Sequence, residues 1–507
     1  MSYTVNKIGG ANMSELDGVK DLVKTHITQN QENSALVVSA FSNVTNALID
    51  AMDFVTKQGN LEDQTLKKSF KVVEKLLAEQ IEKNPDEKIK VQIKKTVEDE
   101  LNKVKTALKE FKNSNLRVGK NTNQIRDKVI GLGESTAALV LEAHLQANNI
   151  PTEFIPDVSA ILESDNPDLH KCIQEGIKKR LKDLDNLNSE IRKKLLIFGG
   201  HIANLPNGIV QDIGRSYSDT TAVDVGVALE KVGKEVDGVI FWKDVDGMLT
   251  ANPNDLDTKS VPKQILDISL MEALEVARAG SSLLHVQALE LAHKFGINLI
   301  LKNIEKPDGE GTTYGINQIP TGEAFKTISS HPHDCLTLDI TNVAGQPGVI
   351  QHFSRIFKEQ NISVNDVVTE GNSIGFTIPL PRDNADKEDL RKRIRQVQRK
   401  LVSIKIDGQA ERIDCEWAQD SLGNISIIGT ELTNNPGILA TISSVLAAYE
   451  INISMVGHTT KQKRISFYVG KNNRKKAVQV LHKFFFDKDE EVQNYVKKQS
   501  VNILSRY

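Results

Sequence analysis

Short apolar runs alternate with longer helical patterns from the N terminus to about residue 305. The runs are apolar enough to be buried on both faces, as parallel strands usually are. This alternation predicts an α/β layer fold with a largely parallel sheet between helices. Such a sheet binds ligands at the carboxyl ends of its strands, so the residues that follow each run are candidate site residues. The candidate strands are Tyr3–Lys7, Ala35–Ser39, Thr152–Ile155, Leu195–Phe198, Gly238–Trp242 and Ile297–Leu301.

The chain after residue 333 contains one pattern of predicted elements twice. In each copy a strand, a loop with a Pro-Gly pair and a helix precede two further strands and a second helical stretch. In the first copy the helix is predicted from Val349 to about Gln360, and the strand after it near Ile362 to Val368. The pairs are Pro347-Gly348 and Pro436-Gly437. Such a recurrence predicts two modules of the βαββα(β) type.

With 507 residues the chain is long enough for several domains. Residues 57–125 are rich in Lys and Glu with apolar side chains at helical spacing, which predicts a helical insert; a partner-binding coiled coil is the alternative. Residues 319–333 have the composition of a linker or an irregular boundary strand. We expect a first domain over 1–305, a linker over 306–333, and modules over 334–418 and 419–507.

The overall charge gives the chain no general affinity for polyanions. Its 64 Lys and Arg residues nearly balance its 67 Asp and Glu residues, for a net charge of −3. No strong field therefore attracts nucleic acid or an anionic membrane, and any anion site has to be local. The three cysteines are far apart and form no Cys/His cluster, which fits a reducing compartment better than disulfides or a metal site. Because no apolar run could span a bilayer and the start lacks an apolar signal core, we expect a cytoplasmic location.

Polar residues follow the first two predicted strands. Lys7 precedes Gly9-Gly10, whose backbone can approach a ligand closely and offer N–H groups to phosphate oxygens. A plain turn is the alternative for this motif. Ser39 and Thr45 follow the second strand, where their hydroxyls can line a polar pocket; helix capping in the same loop is the alternative.

Charged residues occupy three further turns. Glu134 is expected at the N-terminal end of a helix. Helix capping, in which the helix dipole stabilises the negative charge, would be a sufficient explanation for a carboxylate at this position. Arg215 lies on a tight loop and can bind a carboxylate with two hydrogen bonds, and Asp219 follows at the start of a helix. Taken singly, each motif is ambiguous. The turn after the strand at 238–242 holds Lys243, Asp244 and Gly247.

The order and spacing of these motifs are more specific than any one of them. They are Val37-Val38-Ser39-Ala40 with Thr45-Asn46, Gly133-Glu134, Gly214-Arg215 with Ser218-Asp219, Trp242-Lys243-Asp244-Val245-Asp246-Gly247 with Thr250 and Pro253, and Gly280-Ser281-Ser282-Leu283-Leu284-His285. Together they resemble the aspartate kinases of the amino-acid kinase superfamily over essentially the whole chain. The repeat resembles the paired ACT modules of those enzymes. The resemblance implies an amino-acid-kinase-type sheet followed by two ferredoxin-like βαββαβ ACT modules.

The resemblance implies ATP-dependent phosphorylation of the side-chain carboxylate of L-aspartate to 4-phospho-L-aspartate, the first step of aspartate-family amino acid biosynthesis. ATP would bind with Mg²⁺, which the phosphates would mainly hold. Glu134 would meet the ammonium of aspartate, and Arg215 its α-carboxylate. The implied roles are catalytic for Lys7 and Asp219, substrate-binding for Ser39, Thr45, Glu134 and Arg215, and nucleotide-binding for Gly9, Gly10, Lys243, Asp244 and Gly247.

The chain departs from the family pattern on the nucleotide side. Asn254 stands where the family usually has an arginine that faces phosphate, and Ser282 stands where it usually has a lysine. Each charge-assisted phosphate contact can be worth ~1.5 to 3 kcal/mol, so we expect weak or altered use of ATP. Further departures are Ala11-Asn12, Ser216-Tyr217, Leu249, Asn252 and Val286.

Two other functions are compatible with these departures. A protein that senses amino acids or regulates a partner would keep the fold and the ACT pair without catalysis. Another amino-acid kinase, acting on glutamate or acetylglutamate, is the second alternative, although those enzymes do not usually carry an ACT pair.

The ACT pair also implies feedback regulation, with lysine or threonine as the expected effector. A solvated strand end is the alternative for the candidate effector residues of the first module. The corresponding strand of the second module has no acidic residue, so we expect it to serve mainly in pairing within a homodimer or higher oligomer. The candidate effector-binding residues are Gln346, Gly348, Ser363, Asn365, Thr369 and Glu370.

Overall fold

The computed structural model divides the chain into two compact units. The first comprises residues 1–248, 266–270 and 283–318, and the second comprises 249–265, 271–282 and 319–507. The residues that the structure describes are 2–28, 33–50, 71, 74–75, 78–79, 81–82, 86–113, 120–156, 158–162, 168–187, 194–214, 216–281, 283–316, 325–331, 334–341, 349–370, 373–380, 384–402, 414–417, 421–433, 435–458 and 463–504.

The first unit is built on an eight-stranded sheet in the order β3-β4-β2-β1-β5-β9-β10-β8. Among the described residues, neighbouring strands of this sheet are parallel except for β9 and β10, which are antiparallel. This arrangement confirms the predicted α/β fold with a largely parallel sheet. The strands are β1 (Tyr3–Ile8), β2 (Ser34–Val38), β3 (Thr152–Ile155), β4 (Leu195–Gly199), β5 (Val236–Lys243), β8 (Asp267–Ser269), β9 (Leu299–Asn303) and β10 (Thr312–Gly315).

Helices connect these strands, as parallel pairing requires. The helical insert predicted over 57–125 lies partly outside the described residues, and its described part includes α3 and the beginning of α4. The helices are α1 (Gly10–Met13), α2 (Leu16–Leu22), α3 (Glu87–Asn113), α4 (Lys120–Ala147), α5 (Leu169–Leu187), α6 (Ile209–Asp212), α7 (Tyr217–Lys231), α8 (Leu270–Arg278) and α9 (Val286–Phe295), with a π-helical turn over Val23–Ile27. A short two-stranded sheet pairs β6 (Met248–Leu249) with β7 (Gln264–Ile265).

The second unit contains a second eight-stranded sheet, in which the recorded pairs are antiparallel. Its main path is β13-β14-β12-β16-β18-β17, with β11 paired to β16 and β15 paired to β12. The strands are β11 (Thr327–Ser330), β12 (Cys335–Thr341), β13 (Val367–Glu370), β14 (Ser373–Pro379), β15 (Asp414–Trp417), β16 (Leu422–Ile428), β17 (Ile453–His458) and β18 (Arg464–Gly470).

The repeat predicted from the sequence is visible in the element order, which confirms two ferredoxin-like modules. The first module runs β12-α10-β13-β14-α11-β15, and the second runs β16-α12-β17-β18-α13. Each module has an apolar core of its own, around Phe353 and Phe376 in the first and around Phe467 in the second. The helices are α10 (Val349–Glu359), α11 (Asn384–Val402), α12 (Ile438–Ala448), α13 (Arg474–His482), which continues as a π-helical turn over Lys483–Asp487, and α14 (Glu490–Leu504).

The chain between the two sheets is more structured than a linker. Of the range 306–333, residues Thr312–Gly315 form β10 and Thr327–Ser330 form β11. Strand β11 pairs with β16 along Thr327–Ile428 to Ser330–Ile425, so the second module takes a strand from the chain that precedes the first module. The range therefore contributes a strand to each sheet.

Strand β13 begins later than the sequence pattern predicts. We expected a strand over residues 362–368, whereas the structure begins it at Val367. Thr377 accepts a hydrogen bond from the Asn365 amide through its carbonyl and donates its own amide to the Asp366 carbonyl. Two residues thus oppose one on the neighbouring strand, which is the geometry of a β-bulge and interrupts regular pairing.

Within the described residues, no helix combines the length and the apolar character needed to cross a membrane.

Gly200, directly after β4, permits a close approach between β4 and α7. A Cβ atom at this position would lie 2.4 Å from Ser218 Cβ and 3.1 Å from the Val38 carbonyl oxygen. We expect Gly200→Ala to lower the free energy of unfolding by about 2 kcal/mol, because overpacking forces backbone and side chains apart. The measurement is urea denaturation followed by circular dichroism.

Gly18→Ala is the matched control for this change. The added methyl group would meet Glu15 Cβ at 4.0 Å, an ordinary contact, and Ala is favoured over Gly within a helix such as α2. Equal stability of the Gly200 and Gly18 variants would contradict the close approach of β4 and α7.

Candidate active site

A cavity of about 340 Å³ opens in the first unit at the carboxyl ends of β1 and β2 and the beginning of α7. This is the edge at which a parallel sheet is expected to bind ligands. The cavity brings together residues from motifs that are far apart in the chain. Of the predicted site residues, it is lined by Lys7, Gly10, Ser39, Thr45, Glu134, Asp219 and Lys243.

A buried carboxylate between two lysines forms one wall of the cavity. Lys7 Nζ lies 2.6 Å from Asp219 Oδ1, and Lys243 Nζ lies 3.4 Å from Asp219 Oδ2. Lys243 also donates a hydrogen bond to the Leu283 carbonyl. The adjacent strands β1 and β5 supply the lysines near their carboxyl ends, and the first turn of α7 supplies the carboxylate. The three charges sum to +1, which suits the site to an anionic ligand.

The two lysines keep the buried carboxylate ionised. Burial by itself would raise the pKa of the Asp219 carboxyl, but Lys7 and Lys243 outweigh burial and hold that pKa below its usual value. The beginning of a helix also favours negative charge. Burial lowers the pKa of Lys243, an effect that Asp219 opposes.

Glu134 also lines the cavity. Its position corrects the expectation that this residue lies at the beginning of a helix. It lies in the middle of α4, which extends from Lys120 to Ala147. The interpretation of Glu134 as a residue that caps the beginning of a helix is therefore wrong. The preceding glycines look like a helix start in the sequence, but they serve close packing: a Cβ on Gly133 would meet Ala40 Cβ at 2.9 Å. Glu134 is buried, and burial raises the pKa of its carboxyl.

One oxygen of Glu134 accepts a hydrogen bond, and the other has no hydrogen-bond partner among the described residues. The Tyr217 hydroxyl donates a 2.6 Å hydrogen bond to Oε1. Within the described part of the chain, Oε2 makes no hydrogen bond. Since Glu134 lines the cavity, a ligand with a cationic N–H group could satisfy this oxygen.

Hydroxyl groups also line the cavity. Ser39 Oγ and Ser218 Oγ lie 2.8 Å apart, and Thr45 lines the same cavity. Residues 44–50 are helical, and Asn43 before them has a left-handed backbone with φ 66°. This turn places the polar loop after β2 at the cavity.

The other predicted site residues are not among the residues that line this cavity, or they lie outside the described residues. Gly9 precedes α1, Asp244 is exposed after β5, and Gly247 is buried in the next turn with φ 145°. The positions expected on the nucleotide side, Asn252 and Asn254, form a 3₁₀ turn in the second unit, where Asn252 accepts a hydrogen bond from the Asn254 amide. Arg215, Ser282, Gln346 and Gly348 lie outside the described residues.

The remaining effector candidates lie around β13 in the first module. Ser363 and Asn365 are exposed before the strand, and Thr369 is exposed within it. The Asn365 side chain also contacts the Cys335 sulfur at 3.8 Å. Glu370 ends β13, and its side chain lies outside the described residues.

Sequence reasoning missed the residues behind Glu134. It noted Tyr217 as a departure from the family pattern, without a partner, and it did not single out His201 or Asp127. His201 Nε2 lies 3.2 Å from Asp127 Oδ1, and both side chains are buried. The sequence does contain a signal for His201, because this residue follows the glycine pair at the carboxyl end of β4. It contains no signal for the pairing of His201 with Asp127, which lies 74 residues earlier.

Comparison with known proteins agrees with this geometry. The model of the amino acid kinase family matches residues 2–303, more than half of the 507 residues. The chain belongs to the amino acid kinase family. The ACT domain model matches residues 425–485, within the second module of this family member.

The similar proteins are aspartate kinases, which confirms the resemblance that the motifs carry. Aspartate kinase FUB3 of Gibberella fujikuroi is 25% identical over 388 residues, covering 72% of this chain and 71% of the relative. The aspartokinase of Saccharomyces cerevisiae is 23% identical over 525 residues, covering 95% and 92%. A solved structure of Escherichia coli aspartokinase III with aspartate and ADP has a TM-score of 0.70 at 19% identity, covering 96% of this chain and 100% of that one. Another structure of that enzyme, with lysine and aspartate, also has a TM-score of 0.70, at 20% identity.

We expect Asp219→Asn to lower the free energy of unfolding by about 3 kcal/mol at pH 7, because it leaves two buried lysines without their carboxylate. The native pKa of Asp219 is lower than its ordinary value of about 3.9, so its stabilisation is complete above about pH 5 and is lost as the pH falls below about 4. Urea denaturation of parent and variant from pH 7 to pH 3.5 measures the difference. A difference that stays constant down to pH 3.5, or that is absent at pH 7, would contradict the charge pairing.

Proposed function

We propose that this member of the amino acid kinase family is an aspartate kinase, which transfers the γ-phosphoryl group of ATP to the side-chain carboxylate of L-aspartate. The observation that carries the proposal is that one cavity holds both Glu134 and the Lys7–Asp219–Lys243 cluster, and that one Glu134 oxygen has no hydrogen-bond partner in the described part of the chain. The first suits an ammonium group, and the second suits a phosphate. The products are 4-phospho-L-aspartate and ADP.

Binding of aspartate would use both ends of its backbone. In this proposal Glu134 Oε2 accepts a hydrogen bond from the ammonium, and Arg215 binds the α-carboxylate with two hydrogen bonds. Ser39 and Thr45 shape the remaining polar surface. The side-chain carboxylate is left to face the lysine cluster.

The chemical step needs alignment and charge compensation. The carboxylate nucleophile is already ionised at neutral pH, so no general base is required. One of its oxygens attacks the γ-phosphorus as the bond from that phosphorus to the β–γ bridging oxygen breaks, and the electron pair leaves with ADP. Lys7, Lys243 and the amides near Gly10 would offset the charge on the transferring phosphoryl group.

Magnesium would enter with ATP as part of the substrate. The Asp219 carboxylate is already paired with two lysines, so it is poorly suited to act as a metal ligand. We therefore propose that the ATP phosphates would hold most of the ion, which would reduce their charge.

The altered nucleotide-side residues favour a second candidate function, that of an amino-acid sensor with little catalysis. Asn254 supplies no positive charge, and its turn is held by Asn252. The sensor would keep aspartate binding at Glu134 and lose phosphoryl transfer. A single assay separates the two functions.

The assay is ADP formation with aspartate, with glutamate and without an acceptor, in the presence of magnesium. We expect aspartate-dependent ADP formation that Lys7→Ala lowers by at least about a hundredfold, because one charge next to the phosphoryl group is lost. Calorimetric titration should show that this variant still binds aspartate, since Glu134 is unchanged.

Lys20→Ala is the control, because it removes a lysine that pairs with Asp17 at the surface, 2.9 Å away. Turnover by Lys7→Ala within a few fold of the parent would show that Lys7 is a structural turn residue. Aspartate binding by a parent that forms no ADP would favour the sensor.

We further propose that the first ACT module binds an amino-acid effector such as lysine or threonine. Ser363, Asn365 and Thr369 present polar groups to solvent around β13, which supports the proposal. A ligand that inhibits must bind the two conformations of the enzyme with different affinities, so substrates should weaken its binding in turn.

Calorimetric titration of lysine and threonine into the full chain tests this regulation. We expect binding that Asn365→Ala weakens and that Asn452→Ala, which changes an exposed asparagine directly before β17 of the second module, leaves unchanged. If neither amino acid binds at millimolar concentration, or if both variants behave alike, the first module is not the effector site.

A further inference from the structure

Helix α4 carries two buried carboxylates on one face. Asp127 and Glu134 are seven residues apart, about two helical turns, so their side chains point the same way. Both are nearly inaccessible to solvent, at 5% and 3% exposure. A buried carboxylate is costly without partners, and each of these two has a specific one.

The partner of Glu134 comes from the beginning of α7. Tyr217, which is 4% exposed, donates a 2.6 Å hydrogen bond to Oε1. Ser216 before it has a left-handed backbone with φ 65°, a conformation that sets the direction in which the helix starts. Asp219 lies two residues further on in the same turn and faces Lys7. The first turn of α7 thus contacts both walls of the cavity.

The partner of Asp127 comes from the segment between β4 and α6. His201 Nε2 lies 3.2 Å from Asp127 Oδ1, which also accepts a 2.7 Å hydrogen bond from the Ile209 amide. The imidazole ring lies against Gly131 of α4, where a Cβ would come within 2.5 Å of His201 Nδ1. Its ring also meets the Tyr217 ring edge-on, with centroids 6.2 Å apart. The two pairs therefore form one packed cluster.

We infer that Tyr217 is a positioning residue for substrate recognition: its hydroxyl occupies one oxygen of Glu134, so that the remaining oxygen meets the ammonium group of an α-amino acid in a fixed direction, while the Asp127–His201 pair supports this arrangement. The inference rests on the proposed function, because it assigns the ligand of Glu134. It adds residues that do not touch the reacting atoms. They act through Glu134.

The charges of the cluster agree with this role. Burial raises the pKa of Glu134, while the Tyr217 hydrogen bond, His201 and the Ala40 amide oppose that rise. Burial would lower the pKa of His201, but Asp127 and Glu134 outweigh it and raise that pKa. Burial and the nearby Glu134 keep the Tyr217 hydroxyl protonated as a donor. Removing the hydroxyl should raise the pKa of Glu134 further and leave less of the ionised form that an ammonium group needs.

The test is calorimetric binding of aspartate to the full chain from pH 6 to pH 8.5, with no nucleotide present. We expect Tyr217→Phe to weaken binding by about tenfold at pH 7, the scale of one hydrogen bond to a charged group. The pH at which binding becomes strong should shift upward. His201→Gln, which keeps a polar side chain and removes the imidazole, should shift it in the same direction. Succinate, which lacks the ammonium group, should bind parent and variants alike.

Tyr314→Phe is the matched control, because Tyr314 is a buried tyrosine of the first unit whose hydroxyl has no partner among the described residues. It should leave aspartate binding and its pH dependence unchanged. An unchanged profile in folded Tyr217→Phe would overturn the inference, as would equal weakening for aspartate and succinate. A parent that binds aspartate and forms no ADP would overturn the kinase proposal and leave this inference standing. A parent that binds no aspartate overturns both.

Discussion

The pairing of Lys7 and Lys243 with Asp219 is the interaction on which the arrangement of the cavity depends. All three charges are largely buried, so each would be costly without the others. The pairing connects β1 with α7 and β5, which both lie more than 200 residues after β1 in the sequence. Because it leaves one net positive charge at the carboxyl edge of the sheet, the same interaction that connects these elements would also favour an anionic ligand.

The second carboxylate of the cavity obeys the same physical rule with different partners. Glu134 has no lysine beside it within the described residues; a tyrosine hydroxyl and a nearby imidazole partly offset its burial. Its pKa is therefore raised, whereas that of Asp219 is lowered. Among the described residues, the cavity contains one carboxylate that is paired with two lysines and one that has no cationic partner closer than the nearby imidazole. In the proposed function, this asymmetry would give a bound amino acid a defined orientation, with its ammonium group at Glu134.

Most of the fold could be predicted from the sequence, because apolar runs and glycine turns are local signals. The strand over Thr152–Ile155 was predicted with its observed bounds, and the α10 helix within one residue. The error at Glu134 arose because Gly131 and Gly133 have the composition of a helix boundary, while their actual role, close packing on His201 and Ala40, is a tertiary contact. For the same reason the bond between Tyr217 and Glu134 and the pairing of β11 with β16 could not be predicted. Such contacts depend on which elements, distant in sequence, lie next to each other in the fold. The local periodicity of the sequence carries no information about that.

The second unit has consequences for how the ACT modules can influence the chemistry. Residues 249–263, which the motifs place in the kinase domain, are bound within that unit: Thr250 Oγ1 lies 3.0 Å from His482 Nε2, its amide donates to Lys263, and its carbonyl accepts from Ile328 of β11. Two of the covalent connections between the units, at residues 248–249 and 282–283, lie close in sequence to Lys243 and Leu283, which are bonded to each other. A ligand of the modules changes activity only through its different affinity for two conformations. Lys243 in turn pairs with Asp219, so a lysine that lies near one of these connections in sequence also contributes to the charge of the cavity.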